Sequence, residues 1–320
     1  MIKKDNKYNH EYLANNFWNG KVDNDIELGN DVYNKNDQLY IDDNDRRICK
    51  KSIKYCLYRA LKDFTDRTEK KNEGEESSFG AKDKLEVLLK GDFLEKFCDY
   101  FSGNSGNEKS QKDFDEWHHE MCEKFLRDIK GKYTQLHYGK AQKIVNMTFK
   151  NIYCLPCQKN KPYVYEEYFK FCHMPLDSIM LEWFYRAGKI SKIEIYEDGK
   201  KVTRNYPSWS KLEFMNENEK DQKEKYSYMK IQNWIRKYFC LSDSTYIETQ
   251  WTPFMAEFVL WQKMLIELAI EDLYTRLNPK ESKKKFREKS LIEKKSFLMN
   301  LMEKDNFDFI NIDFNKKELK

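Results

Sequence analysis

The chain has 320 residues, enough for one large domain or two small ones, and its 15% aromatic share excludes general disorder because that much ring surface offsets ordering entropy. With only 11 Gly and 6 Pro among abundant Lys, Glu, Leu, Phe and Tyr, a loop-rich β protein is excluded and a mainly α fold is expected. The net charge of +4 selects no partner, but the charge is segregated. Lys130 to Lys170 holds eight lysines against Glu166 and Glu167, and Arg276 to Lys295 holds nine basic residues against three Glu. Residues 23–45 are acidic and Asn-rich. Such a pattern suits a single basic working face, or a merely solvated charged surface.

Residues 1–45 are polar with scattered aromatics (Phe17, Trp18, Tyr33, Tyr40) and form an N-terminal arm. "MIKKDNKYNHEY" has no apolar signal region and no run approaches the ~18 apolar residues of a membrane span, so a cytoplasmic chain without membrane contact is expected. Residues 46–278 are expected to be one compact helical domain, with room for two lobes and a cleft between them. Residues 279–320 follow as a basic C-terminal helix and tail.

Along the helical domain, Ile48, Ile53, Cys56, Leu57, Ala60, Leu61 and Phe64 recur at helical spacing. "EKKNEGEESSFG" is a polar linker, and "AKDKLEVLLKGDFLEKFCDYF" predicts two short helices around Gly91. After the flexible "SGNSGNEKS", a helix over 111–130 gathers Phe114, Trp117, Met121, Cys122, Phe125, Leu126 and Ile129 on one face. Gly131 ends that helix and Gly139 precedes the next, which carries Ile144, Val145, Met147, Thr148, Ile152 and Tyr153. In "KIEIYEDGKKVTRN", alternating Ile193 and Ile195 before Asp198-Gly199 predict one inserted β-hairpin at about 193–204. "YMKIQNWIRKYF" is a helix. The strongest helix signal, "TPFMAEFVLWQKMLIELAIEDLYTRL", has Thr252 to cap it and Pro253 in its first turn.

Three groups of residues have the types that carry chemistry. Cys154-x-x-Cys157 with Cys172 and His173 has zinc-ligand types, but adjacent Cys172 and His173 suit tetrahedral ligation poorly. The eight cysteines read as reduced thiols, most of them packed in the core, and no metal or cofactor is expected. His118 and His119 point about 100° apart on a helix and cannot share one metal. The third group is "YGKAQKIVNMTFK" followed by "HMPLDSIML". Lys143 lies one turn inside a helix, where the helix field and Lys140 favour a lowered pKa and hence a nucleophilic amine. Asp177, two residues after Pro175, starts an apolar helix. Its bland role is an N-cap worth about 1 kcal/mol, and that of Lys143 is a solvated lysine.

This order, a Gly-bearing hairpin between helices, a lysine just inside the second helix and an aspartate after a Pro-x turn, resembles the helix-hairpin-helix DNA glycosylases over residues 110–190. The lysine-to-aspartate separation is similar to that of the archaeal 8-oxoguanine glycosylase branch. The resemblance implies that Asp177 assists loss of a base and that Lys143 attacks the sugar C1′. It further implies that Gln142, His173, Asn146, Tyr138 and Trp183 line a pocket for a flipped base. Gly139, Lys140, Lys150 and Lys132 would hold DNA phosphates. The implied activity is excision of a damaged or modified base, in repair or in defence against phage DNA, by a monomer whose partner is DNA. The competing expectation is a non-catalytic helical module that binds nucleic acid or protein.

Overall fold

The computed structural model describes residues 41–42, 47–48, 50–62, 64, 80–101, 110–130, 136–154, 166–188, 190, 193–197, 200–214, 227–240 and 252–303. The N-terminal arm up to residue 40, Lys132, Cys157, Asp198-Gly199 and the tail from residue 304 lie outside them. The protein is mainly helical. Helices α1 (Lys50–Lys62), α2 (Ala81–Lys90), α3 (Phe93–Tyr100), α4 (Gln111–Lys130), α5 (Tyr138–Tyr153), α6 (Glu166–Phe169) and α7 (Ser178–Arg186) are followed by α8 (Tyr228–Cys240) and α9 (Pro253–Leu277). Helices α10 (Lys283–Glu288) and α11 (Leu291–Glu303) complete them. Two antiparallel strand pairs accompany them. A two-residue pair joins β1 (Ile41–Asp42) to β2 (Arg47–Ile48), which the sequence did not announce. The other is the expected hairpin, β3 (Ile193–Glu197) with β4 (Lys200–Arg204), in which Ile193 faces Arg204 and Glu197 faces Lys200.

The chain divides into two compact units, Met1–Gln262 and Lys263–Lys320, so the expected boundary at 278/279 lies within the second. The first unit holds the large core. Its faces follow helical periodicity, with Ile53, Cys56, Leu57, Ala60 and Leu61 buried on α1 and Phe114, His118, Met121, Cys122, Phe125 and Ile129 on α4. Helix α5 packs against α1, α4 and a 3-10 turn at Trp209–Lys211. Every residue of α5 is buried except Lys143. Such a helix must find partners for its polar side chains. Asn151 Nδ2 donates to Cys56 O at 2.9 Å, Thr148 Oγ1 donates to Ile144 O at 2.8 Å, and Lys150 pairs with Glu257 at 2.6 Å.

Gly139 does not precede α5; it is inside its first turn, and the reason is steric. A Cβ there would sit 1.9 Å from the carbonyl oxygen of Trp209, and the Gly139 N–H donates to Leu212 O at 2.8 Å. Glycine is required for this close approach of two backbones.

Helix α9 opens as its sequence predicts, with Pro253 as its first residue and the Met255 N–H bonded to Thr252 Oγ1 at 3.2 Å. In the second unit, the single basic helix expected after 279 is two helices. Ser282 caps α10 through the Lys285 N–H, and Ser290 and Glu293 cap α11 reciprocally, so the chain breaks between them. Tyr274, Phe286 and Phe297 form its aromatic centre, with ring centroids 4.6–5.7 Å apart. Arg287 holds Glu271 in a two-bond fork at 3.0 and 2.9 Å.

Candidate functional site

Lys143 is the one residue of α5 that reaches beyond the core, and what it reaches is Asp177. Lys143 Nζ donates to Asp177 Oδ2 at 2.7 Å, across 34 residues of sequence, with side chains 18% and 14% exposed. Asp177 is the N-cap of α7. Its Oδ1 accepts the N–H groups of Ile179 and Met180, both at 3.0 Å. Trp261, on the part of α9 that belongs to the first unit, donates its indole N–H to Oδ2 at 3.0 Å. Burial works to raise the Asp177 carboxyl. The Lys143 charge and hydrogen bond, the Met180 amide and the Trp261 indole outweigh burial and hold it below the usual carboxylate range. The result is a carboxylate kept ionised at a helix N-terminus, beside an amine and an indole. Cap and ion pair coexist because each uses a different oxygen.

Beside this pair runs a buried polar network. His173 Nε2 donates to Asp115 Oδ1 at 2.8 Å, and its Nδ1 accepts the Tyr228 hydroxyl at 2.7 Å. Tyr228 Oη in turn accepts Asn146 Nδ2 at 2.9 Å, while Asn146 Oδ1 accepts His118 Nε2 at 2.9 Å. Arg236 grips Asp115 with two nitrogens, at 2.8 and 2.5 Å. Burial pushes His173 down to about 4, against the opposing pull of Asp115, so the ring is neutral at ordinary pH. His118 and Cys122 are four residues apart on α4, with Cys122 Sγ 3.7 Å from His118 Nδ1. With Asn146 they have the residue types of a nucleophile, a base and its orienter. Both are fully buried, and burial drives the thiol well up and the imidazole well down, so they are inert packing.

Among the described residues, the structure places the other expected site residues in the interior, apart from the half-buried Trp183. Gln142 is fully buried and its amide is consumed: Nε2 donates to Gly139 O and Leu176 O, both at 2.9 Å, and Oε1 accepts Asn146 Nδ2 at 2.9 Å and Leu176 N at 3.4 Å. No donor or acceptor is left to read a base edge. Asn146 and His173 are spent likewise. Tyr138 is buried among His119, Phe214 and Tyr228. Trp183 packs with Tyr238 and Phe239 of α8.

Of the residues expected to hold phosphate, Gly139 is locked against Trp209. Lys140 is buried with its ammonium over the Phe64 ring at 5.2 Å, and Lys150 is buried in its ion pair with Glu257. An interior ion pair leaves Lys150 no phosphate-facing side. Cys154 and Cys172 are buried thiols, and among the described residues no three His, Cys, Asp or Glu side chains come together to hold a metal. No helix among the described residues is long and apolar enough to cross a membrane.

Sequence reasoning missed Trp261, Asp115, Tyr228, Gln232 and Arg236. A signal for three of them exists: Tyr228, Gln232 and Arg236 repeat every four residues and put a polar stripe on the buried side of "YMKIQNWIRKYF". Nothing local marks Trp261, which lies 84 residues from Asp177. Comparison of the chain with protein-family models, with curated proteins and with solved structures finds no match.

Proposed function

We propose that Lys143 and Asp177 form the reactive centre of a DNA glycosylase-like enzyme that excises a damaged or modified base from a flipped nucleotide. The observation that carries this reading is that Lys143, alone on an otherwise buried helix, meets a partly open Asp177 at 2.7 Å. Cleavage of the N-glycosidic bond sends its electron pair off with the base and leaves positive charge on the sugar. A carboxylate held ionised by fixed donors stabilises that charge without reorganising. Attack by Nζ on C1′ forms a C1′–N bond as the base leaves. The Lys143 ammonium gives one proton to the departing base, which frees the Nζ electron pair for that bond, and a second Nζ proton passes to the sugar ring oxygen as the C1′–O bond breaks and the ring opens to a protonated imine. If water attacks instead, its proton goes to the departing base and the product is a plain abasic site. The biological setting is repair or defence against phage DNA.

The test is borohydride trapping and base release on a panel of damaged, modified and glucosylated duplexes. The reading expects release that Asp177→Asn abolishes while DNA affinity stays nearly intact. No trapped complex and no release across the panel sinks it. A second reading, a non-catalytic helical module that binds nucleic acid or protein, is favoured by one observation. Gly139, Lys140 and Lys150 all sit inside the fold, so a basic face would have to come from other lysines. Asp177→Asn that lowers binding and fold stability together, with no release by the parent protein, selects that reading.

A further inference from the structure

Residues 172–176 run without helix or strand and are buried, yet the four strands of the described residues pair only among themselves. Buried backbone groups without a ladder need other partners. Two glutamine side chains supply them. Gln232 Oε1 accepts the Met174 N–H at 3.2 Å and its Nε2 donates to Met174 O at 2.7 Å. Gln142 does the same for Leu176, donating to its carbonyl at 2.9 Å and accepting its N–H at 3.4 Å. Pro175, between them, has no N–H to satisfy.

We propose that Gln142 and Gln232 are positioning residues for the Lys143–Asp177 pair, acting as a two-rung substitute for a neighbouring strand that fixes the place of Asp177 opposite α5. Gln142 is adjacent to Lys143 and Leu176 is adjacent to Asp177, so one amide ties together the two peptide units that bear the pair. Met174 and Leu176 are two residues apart, the spacing at which an extended chain presents equivalent groups to one side. His173, the residue between Met174 and Cys172, is tied by its side chain to Tyr228 and Asp115. A slip of one residue would exchange these sides, break both amide rungs and carry Asp177 away from Lys143 and Trp261. Gln142 and Gln232 are both fully buried, so they touch no substrate and act only through the segment they hold.

The positioning role rests on the glycosylase reading; the tie itself is measured without it. The probe is protein labelled with 15N-tryptophan, whose seven indole N–H resonances include that of Trp261, assigned with Trp261→Phe. Asp177→Asn gives the resonance position when the indole has lost its carboxylate. Gln142→Met and Gln232→Met keep side-chain volume and remove the amide. Each is expected to move the Trp261 resonance at least half of the way toward its position in Asp177→Asn, and to lower kcat about tenfold or more with little change in KM. Folded variants that keep the parental indole resonance overturn the proposal. Should a Met variant not fold, hydrogen exchange on the unmodified protein decides. The Met174 and Leu176 amides are expected to exchange as slowly as those of α5, and exchange at the rate of an open loop overturns the tie. Failure of base release by the parent protein removes the glycosylase reading but leaves the indole and exchange results standing.

Discussion

Replacing Lys143 by Met and Asp177 by Ser, singly and together, measures the ion pair apart from the helix cap. Serine retains a side-chain oxygen for the Ile179 and Met180 amides, so the Asp177→Ser change removes the charge and the second oxygen but not the cap. Two unit charges at the observed 2.7 Å attract by about 6 kcal/mol at an effective dielectric of ~20. Partial desolvation of both groups and the immobilised lysine chain oppose this, leaving a coupling of about 2 kcal/mol. Asp177→Ala should cost about 1 kcal/mol beyond Asp177→Ser, the worth of the cap. The assay is urea unfolding read by tryptophan fluorescence. All seven tryptophans lie in Met1–Gln262, so the signal reports the unit that holds the pair. A coupling below about 0.5 kcal/mol at pH 7, with unchanged denaturant slopes, would refute the pairing on which both the site and its proposed chemistry stand.

Two further outcomes follow from the same unit. Gly139→Ala in an ordinary helix interior would stabilise by up to about 1 kcal/mol, but here the Cβ meets the Trp209 carbonyl at 1.9 Å, so a loss of about 2–3 kcal/mol is expected in thermal unfolding; a raised Tm would disprove the backbone contact. His173, neutral in the fold at about 4 against ~6.5 when unfolded, binds its proton first in the unfolded chain. Its contribution is therefore present above pH ~6.5 and lost as pH falls toward 4, by about 3 kcal/mol in all. His118, also held neutral by burial, loses stability in the same direction, whereas Asp177 and Asp115, both depressed, lose theirs only below the ordinary carboxylate range near ~3.9. Urea unfolding of His173→Gln between pH 7 and 4.5 should show a shallower pH dependence than the parent, and an unchanged slope would contradict the neutral buried ring.

The sequence by itself determined the local structure. Periodicity located α1 and α4 and the faces they bury, Thr252-Pro253 marked the start of α9, and alternation before Asp198-Gly199 located the hairpin. These features depend on neighbours within a few residues, which is the range over which pattern and capping act. Asp177 as a cap was legible for the same reason, whereas its association with Lys143, 34 residues away, was suggested only by the resemblance that the order of the motifs carries. Tertiary structure alone decided which polar residues are available. Periodicity assigns one buried face to a helix, but α5 is enclosed on all sides, and this turns Gln142, Asn146 and Lys150 from surface candidates into interior partners of Leu176, Tyr228 and Glu257. It also replaces Trp183 by Trp261 beside the carboxylate, because a contact between residues 84 apart is set by how helices pack and leaves no trace in either residue's local sequence.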